Sequence, residues 1–477
     1  MTVNTTLIPL CVDLDDTLIK TDMLYEGFIK LLKKKPFLLL LLPFWLFKGK
    51  AYLKTKLNEH VDFDVTCLPY HEEFIEYLKN ERQTGRQLLL VTASHESIAQ
   101  KIADHLGIFN AVLATNATRN LKGMAKAQFL HDYFAGQPFA YAGDSRADLA
   151  VWQHAQAGVL VNTSRSVTQQ AKQLTQIIAE FPRKTRWVKA IPAALRMHQW
   201  VKNTLIFIPL LASQQILNLP LLENAIFAFF AFSFAASSAY ILNDLLDLEA
   251  DRHHHRKRKR PFASGAIPIQ IGLLLFPACL LVSLLLSLAL PPKFWAVLGI
   301  YYVLTLAYSF VLKSMVLIDV FCLATLYTLR VIAGSAAMTD SVVSHWLLAF
   351  SLFIFLCLAV VKRHSEMLVL RRNNQTSAKG RGYVADDLEI LASIGVSSGF
   401  ISVLVLALYV HNIRDMYSSP DLLWFVCVIL LYWISRVWLI SHRGGMHDDP
   451  IVFALRDRVS HIVALMIFII VLLAKFL

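Results

Sequence analysis

Between residues 200 and 477 the chain passes through a succession of apolar stretches, each close to the roughly 20 residues that a helix needs to cross a hydrocarbon layer. In lipid the backbone must satisfy its own hydrogen bonds, so a segment patterned this way is confined to a bundle of helices. About nine stretches can be read, near 200–217, 222–243, 268–290, 294–312, 315–338, 345–361, 391–411, 419–440 and 459–477. They account for 56% hydrophobic and only 17% charged residues, too apolar for a soluble protein of 477 residues. Residues 1 to about 185 differ, with mixed charges and an alternation of short apolar runs with helical patterns.

The basic residues set an orientation. With the N-terminal part cytoplasmic, the loops after the second, fourth, sixth and eighth stretches carry Arg252 and the 256–260 run, then Lys313, then Lys362, Arg363, Arg371, Arg372, Lys379 and Arg381, then Arg443, Arg456 and Arg458. The opposite loops hold little beyond Lys293 and Arg414. This asymmetry predicts the N-terminus inside and the C-terminus on the opposite side. It also explains the net charge of +12 through topology and anionic substrates; no aromatic-basic pattern points to nucleic acid. No signal peptide opens the sequence. The six cysteines are dispersed without disulfide or metal spacing and are expected in packing. His253, His254 and His255 are adjacent, so they point in different directions and suit a basic phosphate-facing loop better than a metal site.

In the N-terminal part, an apolar strand over 7–14 ends in Asp13-Leu14-Asp15-Asp16-Thr17. Further strands are expected at 87–92, 111–114, 139–143 and 158–161, and the alternation implies a doubly wound parallel sheet. Gly143-Asp144-Ser145-Arg146-Ala147-Asp148 brings two more carboxylates to a strand end, where such sheets hold ligands. Four acids from two strand ends form a candidate Mg²⁺ site.

The DxDxT run at Asp13, Thr92, Lys126 and the GDxxxD run at Asp144 together resemble the motifs of haloacid dehalogenase-like (HAD) phosphatases over 1–161. The resemblance implies Asp13 as nucleophile, Asp15 as general acid and base, and Thr92 and Lys126 as phosphoryl ligands, with Lys122 a competing lysine. It also implies one Mg²⁺ held by Asp13, Asp15 through its backbone carbonyl, and Asp144, with Asp148 in support. An insertion over about 21–85 would fold as a helical cap. Within it the apolar run 36–47 is too short to span a bilayer and reads either as cap core or as a segment dipping among lipid headgroups, flanked by Lys33, Lys34, Lys35, Lys48 and Lys50. Residues 162–198 read as a linker containing a polar helix and a basic, aromatic interfacial stretch.

The second acidic run, Asn243-Asp244-Leu245-Leu246-Asp247-Leu248-Glu249-Ala250-Asp251, lies at the end of the second apolar stretch. Ionised groups at a membrane boundary mark function. At roughly 100° per residue, positions i, i+3 and i+7 share one helix face, so Asp244, Asp247 and Asp251 are expected to converge on a metal beside the basic run that follows, forming a diphosphate site.

This NDxxDxxxD run after the second span, with the span count, resembles the UbiA superfamily of intramembrane transferases over 199–477. One branch, the decaprenyl-phosphate phosphoribosyltransferase-like enzymes, is suggested by the run Arg196 to Asn203 with Lys202, by Lys257, Arg258 and Arg260, and by Tyr308, Lys313 and Asp319. It is suggested equally by Arg330, by Lys362, Arg363 and Glu366, by Arg381, and by Asp448-Asp449-Pro450. His255 and Met197 depart from prolines expected in that branch. Most prenyl-transferring relatives have a second acid-rich motif, where this chain has Lys313 and a single Asp319.

The resemblance implies one or two Mg²⁺ ions held by Asp244, Asp247 and Asp251 on the diphosphate of phosphoribosyl diphosphate. Asn203, Asn243 and the basic residues would bind substrate, and the acceptor would be a polyprenyl phosphate in a bacterial-type inner (plasma) membrane. The HAD part would then remove the 5-phosphate. The alternatives are an aromatic or quinone prenyltransferase using polyprenyl diphosphate, or a lipid-linked transporter or sensor with a regulatory phosphatase domain.

Overall fold

The computed structural model describes residues 8–116, 121–183, 187–338, 344–373, 382–446 and 449–477. It divides into two compact units: residues 1–196 with 240–277, and residues 197–239 with 278–477.

In the first unit, six strands form one parallel sheet: β1 (Leu10–Val12), β2 (Leu88–His95), β3 (Ala111–Thr115), β4 (Ala140–Gly143), β5 (Ala157–Val161) and β6 (Gln176–Phe181). Their order is β3-β2-β1-β4-β5-β6. The central strands are apolar throughout because both faces are covered. Leu10, Val12, Leu88, Leu90, Ala140 and Val159 belong to one core and Cys11, Leu89, Val91, Tyr141, Trp152 and Leu160 to another, the alternation expected of a two-faced sheet.

The insertion between β1 and β2 is helical, with α1 (Met23–Lys34), α2 (Leu42–Phe47), α3 (Lys50–His60) and α4 (Glu72–Gln83). Helices α5 (Glu96–Leu106), α6 (Met124–Tyr133), α7 (Leu149–Trp152) and α8 (Arg165–Leu174) connect the remaining strands.

One expectation needs correction here. The stretch over 162–198 is not simply a linker: α8 and β6 extend the sheet to residue 181, and Phe181 packs on His71, Phe74 and Tyr77. The apolar run 36–47 divides between its two readings: Trp45 is buried in the core with Leu38, Leu39 and Leu42 packed against it, while Phe37, Leu40, Phe44, Leu46 and Phe47 are exposed.

Among the described residues, eight helices are long and apolar enough to cross a membrane. After α9 (Trp187–Ala194) and α10 (Ile208–Ala212) come α11 (Leu219–Leu246), α12 (Leu248–His253), α13 (Ile269–Ser287), α14 (Pro292–Phe310), α15 (Ile318–Ala336), α16 (His345–Arg372), α17 (Leu388–Asn412), α18 (Trp424–His442), α19 (Pro450–Arg456) and α20 (Arg458–Phe476). All but α9, α10, α12 and α19 are the eight, and the chain is a multi-pass membrane protein.

The ninth expected span, near 200–217, is not a continuous α-helix. It is a 3₁₀ stretch, Met197–Phe207, followed by the single turn of α10, where Pro209 lies at the helix start. At about 2.0 Å per residue the 3₁₀ piece reaches roughly 22 Å, short of a hydrocarbon layer of about 30 Å.

In the second unit α15 to α18 pack in succession, and α20 packs on α18. Gly395 and Gly399 on α17 allow a close approach to α18: a Cβ at Gly395 would strike the Trp438 ring, and one at Gly399 would strike Ile434. Small residues four apart let helix backbones come together where lipid offers no hydrophobic driving force.

Candidate functional site

The first carboxylate cluster grows from neighbouring strands. Sheet order reverses between β1 and β4, and such switch points open a crevice at the carboxyl ends of the strands. Asp13 follows β1 and Asp144 follows β4; with Asp148 they present carboxylate oxygens within 4.8 Å of one another. Lys126 on α6 lies buried against them, its Nζ 2.9 Å from Asp13 Oδ1 and 3.8 Å from Asp148 Oδ1. It also donates to the Tyr141 hydroxyl at 2.8 Å. Lys122 is exposed, so Lys126 is the lysine that meets the cluster.

Asp148 accepts from Tyr141 Oη, the Asp144 and Ser145 amides and Ser145 Oγ, and so shapes the loop that carries Asp144. Thr92 is fully buried and its hydroxyl accepts from the Ser94 amide. Asp15 stands outside the three-carboxylate group: Oδ1 accepts from the Met23 amide at 2.9 Å and Oδ2 from Ser94 Oγ at 2.7 Å.

Electrostatics separate these acids. Burial lifts Asp13 to about 7 even though the Lys126 charge opposes it. Burial and then the Asp22 charge lift Asp15 to about 6. Burial and then Asp148 push Asp144 well above the usual carboxylate range. Lys126 is pulled down by burial but raised overall by the charges of Asp13 and Asp148. Hard oxygen donors crowded in this way fit Mg²⁺, which would relieve their mutual repulsion.

Two contributors lacked a usable sequence signal. Ser94 holds Asp15, and Lys54 on α3 donates to the Ala93 carbonyl at 2.5 Å, with the Asp15 and Asp22 charges acting on it.

The second acidic run departs from its expected geometry. Helix α11 ends at Leu246, and Asp247 adopts φ −98°, ψ 13° ahead of α12, so the three aspartates do not share one helical face. Asp244 is buried and paired with Arg196 and, at 3.0 Å, with Arg260. The same Arg260 Nη1 lies 2.6 Å from Asp251, while Asp247 turns to Lys33 of α1 at 2.9 Å. Asp244 and Asp251 therefore meet on one cation and Asp247 on another. The three do not form a set of carboxylate oxygens within 4.8 Å among the described residues. Burial raises Asp251 despite Arg260. The donor set suits Mg²⁺ in type and charge, with guanidinium and ammonium groups neutralising it in this arrangement. Asn243 and Arg260 are half-buried, whereas Lys257 and Arg258 are exposed.

Helix α1 touches both acidic clusters. Its first amide, at Met23, holds Asp15. Residues 26, 30 and 33 share a face, and along it Glu26 pairs with Arg252 at 2.5 Å, Lys30 with Glu249 at 2.6 Å and Lys33 with Asp247. Gly265, at φ +70°, completes the approach, because a side chain there would strike the Lys20 backbone.

The second unit holds three networks. Lys202 and Lys362 both donate to Asp449 Oδ2, at 3.2 and 3.1 Å. Although burial opposes it, the two lysines hold Asp449 down at about 2. Arg330 donates to Asn203 Oδ1 at 2.8 Å and to the Tyr301 hydroxyl, and Asn203 donates to Ser233. Arg363, fully buried, pairs with Asp319 through Nε and with Glu366 at 2.5 Å, and donates to the Tyr308 hydroxyl; Tyr383 donates to the other Asp319 oxygen. Lys313 is half-buried beside α15, and Arg381 and Asp448 lie outside the described residues.

Comparison with known proteins follows these boundaries. The UbiA prenyltransferase family model matches residues 204–444, about half the chain, and the haloacid dehalogenase-like hydrolase model matches residues 10–153. An uncharacterized protein of Sinorhizobium fredii is 37% identical, over 96% of this chain and 90% of that protein. Decaprenyl-phosphate phosphoribosyltransferase of Mycobacterium tuberculosis is 31% identical over 58% of this chain and 91% of that protein. A solved UbiA homolog from Archaeoglobus fulgidus, bound to DMAPP and Mg²⁺, aligns with a TM-score of 0.44 at 16% identity, covering 59% of this chain and 99% of that one. The chain belongs to the UbiA prenyltransferase family and carries a haloacid dehalogenase-like hydrolase domain at its N-terminus.

Proposed function

We propose that the protein transfers 5-phosphoribose from phosphoribosyl diphosphate to a polyprenyl phosphate and then removes the 5-phosphate, leaving polyprenyl-phosphoryl ribose. The observation that carries this reading is the similarity to decaprenyl-phosphate phosphoribosyltransferase, on a chain that adds its own Asp13–Lys126–Asp144 cluster. A lipid-borne phosphoribose supplies the phosphomonoester that such a cluster can hydrolyse.

In the transfer, Asp244, Asp247 and Asp251 would hold Mg²⁺ once their pairs with Arg260 and Lys33 open, and the ion would supply charge neutralisation to the diphosphate leaving group. Arg196 and Arg260 position the aspartates. An oxygen of the lipid phosphate, already ionised at neutral pH, attacks the anomeric carbon and needs no dedicated base, so orientation and charge neutralisation supply the rate. Lys202 and Lys362, pre-oriented by Asp449, take phosphate oxygens.

In the hydrolysis, Asp13 attacks phosphorus while Lys126 neutralises developing charge. Asp13, Asp144 and the Asp15 carbonyl would hold the second Mg²⁺, which would supply charge neutralisation to the phosphoryl group. Asp15, lifted to about 6, can carry the proton delivered to the ribose oxygen and then accept one from the water that cleaves the aspartyl-phosphate. The basic loops support a cytoplasmic position for the phosphatase domain. The exposed run Phe37 to Phe47 lies among headgroups, bringing lipid-borne phosphate to the cap.

The test is mass spectrometry of lipids after incubating purified protein with Mg²⁺, phosphoribosyl diphosphate and polyprenyl phosphate. The parent should give ribosylated lipid and Asp13→Asn the phosphoribosylated lipid. If neither lipid gains a pentose, the transfer reading falls, and prenylation of an aromatic acceptor from polyprenyl diphosphate becomes the next reaction to assay.

A further inference from the structure

We propose that Asp64, Cys67 and His253 form a metal site of their own, taking a borderline transition ion of the zinc class rather than Mg²⁺. Their donor atoms lie within 4.8 Å of one another. Asp64 precedes, and Cys67 ends, a 3₁₀ turn spanning Val65–Cys67. Three residues complete a 3₁₀ turn, so side chains at i and i+3 eclipse, and the Asp-x-x-Cys spacing puts carboxylate and thiol on the same edge.

The carboxylate is oriented before any ion arrives. Asp64 Oδ1 accepts from the Thr66 amide at 3.0 Å and the Thr66 hydroxyl at 2.6 Å, while Oδ2 is directed to His253 Nε2 at 2.9 Å. Hydrogen bonds that fix ligand orientation in this way are a recurrent feature of metal sites. His253 closes α12, next to Arg252, whose buried pair with Glu26 holds that helix end against α1. Cys67, half-buried where the other five cysteines are buried, donates to the Asp64 carbonyl at 3.3 Å and has a thiol accessible to an ion.

One thiolate, one imidazole and one carboxylate leave a fourth, solvent-facing position. That set is tetrahedral and sulfur-containing, and it discriminates against Mg²⁺, which wants oxygen donors in octahedral array. Thiolate and carboxylate together balance the charge of a divalent ion. The site bridges the cap to the segment carrying Asp247 and Asp251, on the seam already made by Glu26, Lys30 and Lys33. Bound metal would fasten that seam. The assignment is independent of the reaction proposed above.

The experiment is a Co²⁺ titration of chelator-stripped, full-length protein in detergent. One equivalent should produce a thiolate-to-cobalt charge-transfer band in the near ultraviolet and the intense visible bands of a tetrahedral ion. Zn²⁺ should bleach both, and excess Mg²⁺ should leave them intact. Cys67→Ser should lose the ultraviolet band, and His253→Gln should weaken binding by about tenfold or more. Zn²⁺ should also raise the unfolding temperature of the parent but not of Cys67→Ser, a comparison that shows whether the variant is folded. Failure of the parent to give a saturable band, or persistence of the band in Cys67→Ser, overturns the assignment.

Discussion

Replacing Glu26 by Gln tests whether α1 is bound to the acidic segment by a buried ion pair. The Glu26 and Arg252 side chains are 4% and 5% exposed, and Glu26 also accepts from Thr21 Oγ1 at 2.8 Å. Once the carboxylate is gone, Arg252 keeps the Ala263 carbonyl, at 3.1 Å, and at most one neutral amide oxygen at position 26, but no counter-charge among its described partners. Leaving a buried guanidinium without its counter-charge costs about 3–5 kcal/mol. For a unit of this size each kcal/mol moves the midpoint by roughly 2–4 °C, so Glu26→Gln should unfold roughly 10 °C below the parent.

Arg252→Met should be similarly destabilised. The double variant should recover about 2–3 kcal/mol relative to the sum of the single changes, because neither charge is then stranded. Thermal unfolding in detergent can be followed through labelling of the Cys11 thiol, which is fully buried in β1, with the labelled peptide identified by mass spectrometry. A loss below about 1 kcal/mol for Glu26→Gln, as exposed pairs give, or strictly additive single changes, would refute the reasoning.

The metal-free phosphatase cluster carries protons near neutrality, with Asp13 at about 7 and Asp144 raised, so Mg²⁺ must displace them. Its affinity should fall as pH drops below about 7, by up to about tenfold per unit for each proton displaced, and calorimetry in buffers of different ionisation enthalpy should detect the release. Because a raised Asp13 favours the protonated fold, metal-free protein should gain stability as pH falls from about 7 toward 4; a chelated sample that loses stability over that range contradicts this. Lys33→Ala removes a half-exposed competitor at Asp247, so Mn²⁺ binding measured in an Asp13→Asn background should tighten by at most about fivefold, with no loss of stability. Asp449 lies at about 2, so Asp449→Asn should cost about 2 kcal/mol above pH ~4, and the difference from the parent should vanish as pH falls toward about 2, as read from denaturant midpoints.

The phosphatase-like half was legible because its chemistry sits at strand ends, and strands announce themselves as short apolar runs before acids. Strand β6 escaped because Gln176–Phe181 is an edge strand of six residues, only partly buried and flanked by polar helix and basic loop. Among the described residues, eight apolar stretches appear as long helices, since length and hydropathy alone specify them. The segment over 197–212 misled because hydropathy counts residues, whereas 3₁₀ winding changes the rise per residue. The aspartates after α11 misled for a related reason: a face drawn on an ideal helix fails when Asp247 breaks the helix. No periodicity can foretell that Lys33 and Arg260, one of them more than 200 residues away, neutralise the run.

Asp319 decides how the sparse acids of the second unit should be understood. It is fully buried, and its oxygens are engaged by Arg363 Nε and by the Tyr383 hydroxyl. A carboxylate taken up in this way could serve a metal only by giving up its bond to a fully buried guanidinium, which would keep Glu366 as its one described carboxylate partner. Its chemistry is to fix Arg363, whose remaining nitrogens meet Glu366 and Tyr308. Asp449 does the corresponding work for Lys202 and Lys362. The acids here organise cations, and organised cations are what a substrate with phosphate groups beyond its leaving diphosphate requires. That supports a phosphorylated sugar donor and a lipid phosphate acceptor over a donor whose only charge is the diphosphate. Asp319→Asn should accordingly impair transfer without changing the Mg²⁺ concentration that gives half-maximal rate. A shift in that concentration would instead make Asp319 a metal ligand and return the prenyl-diphosphate reading to contention.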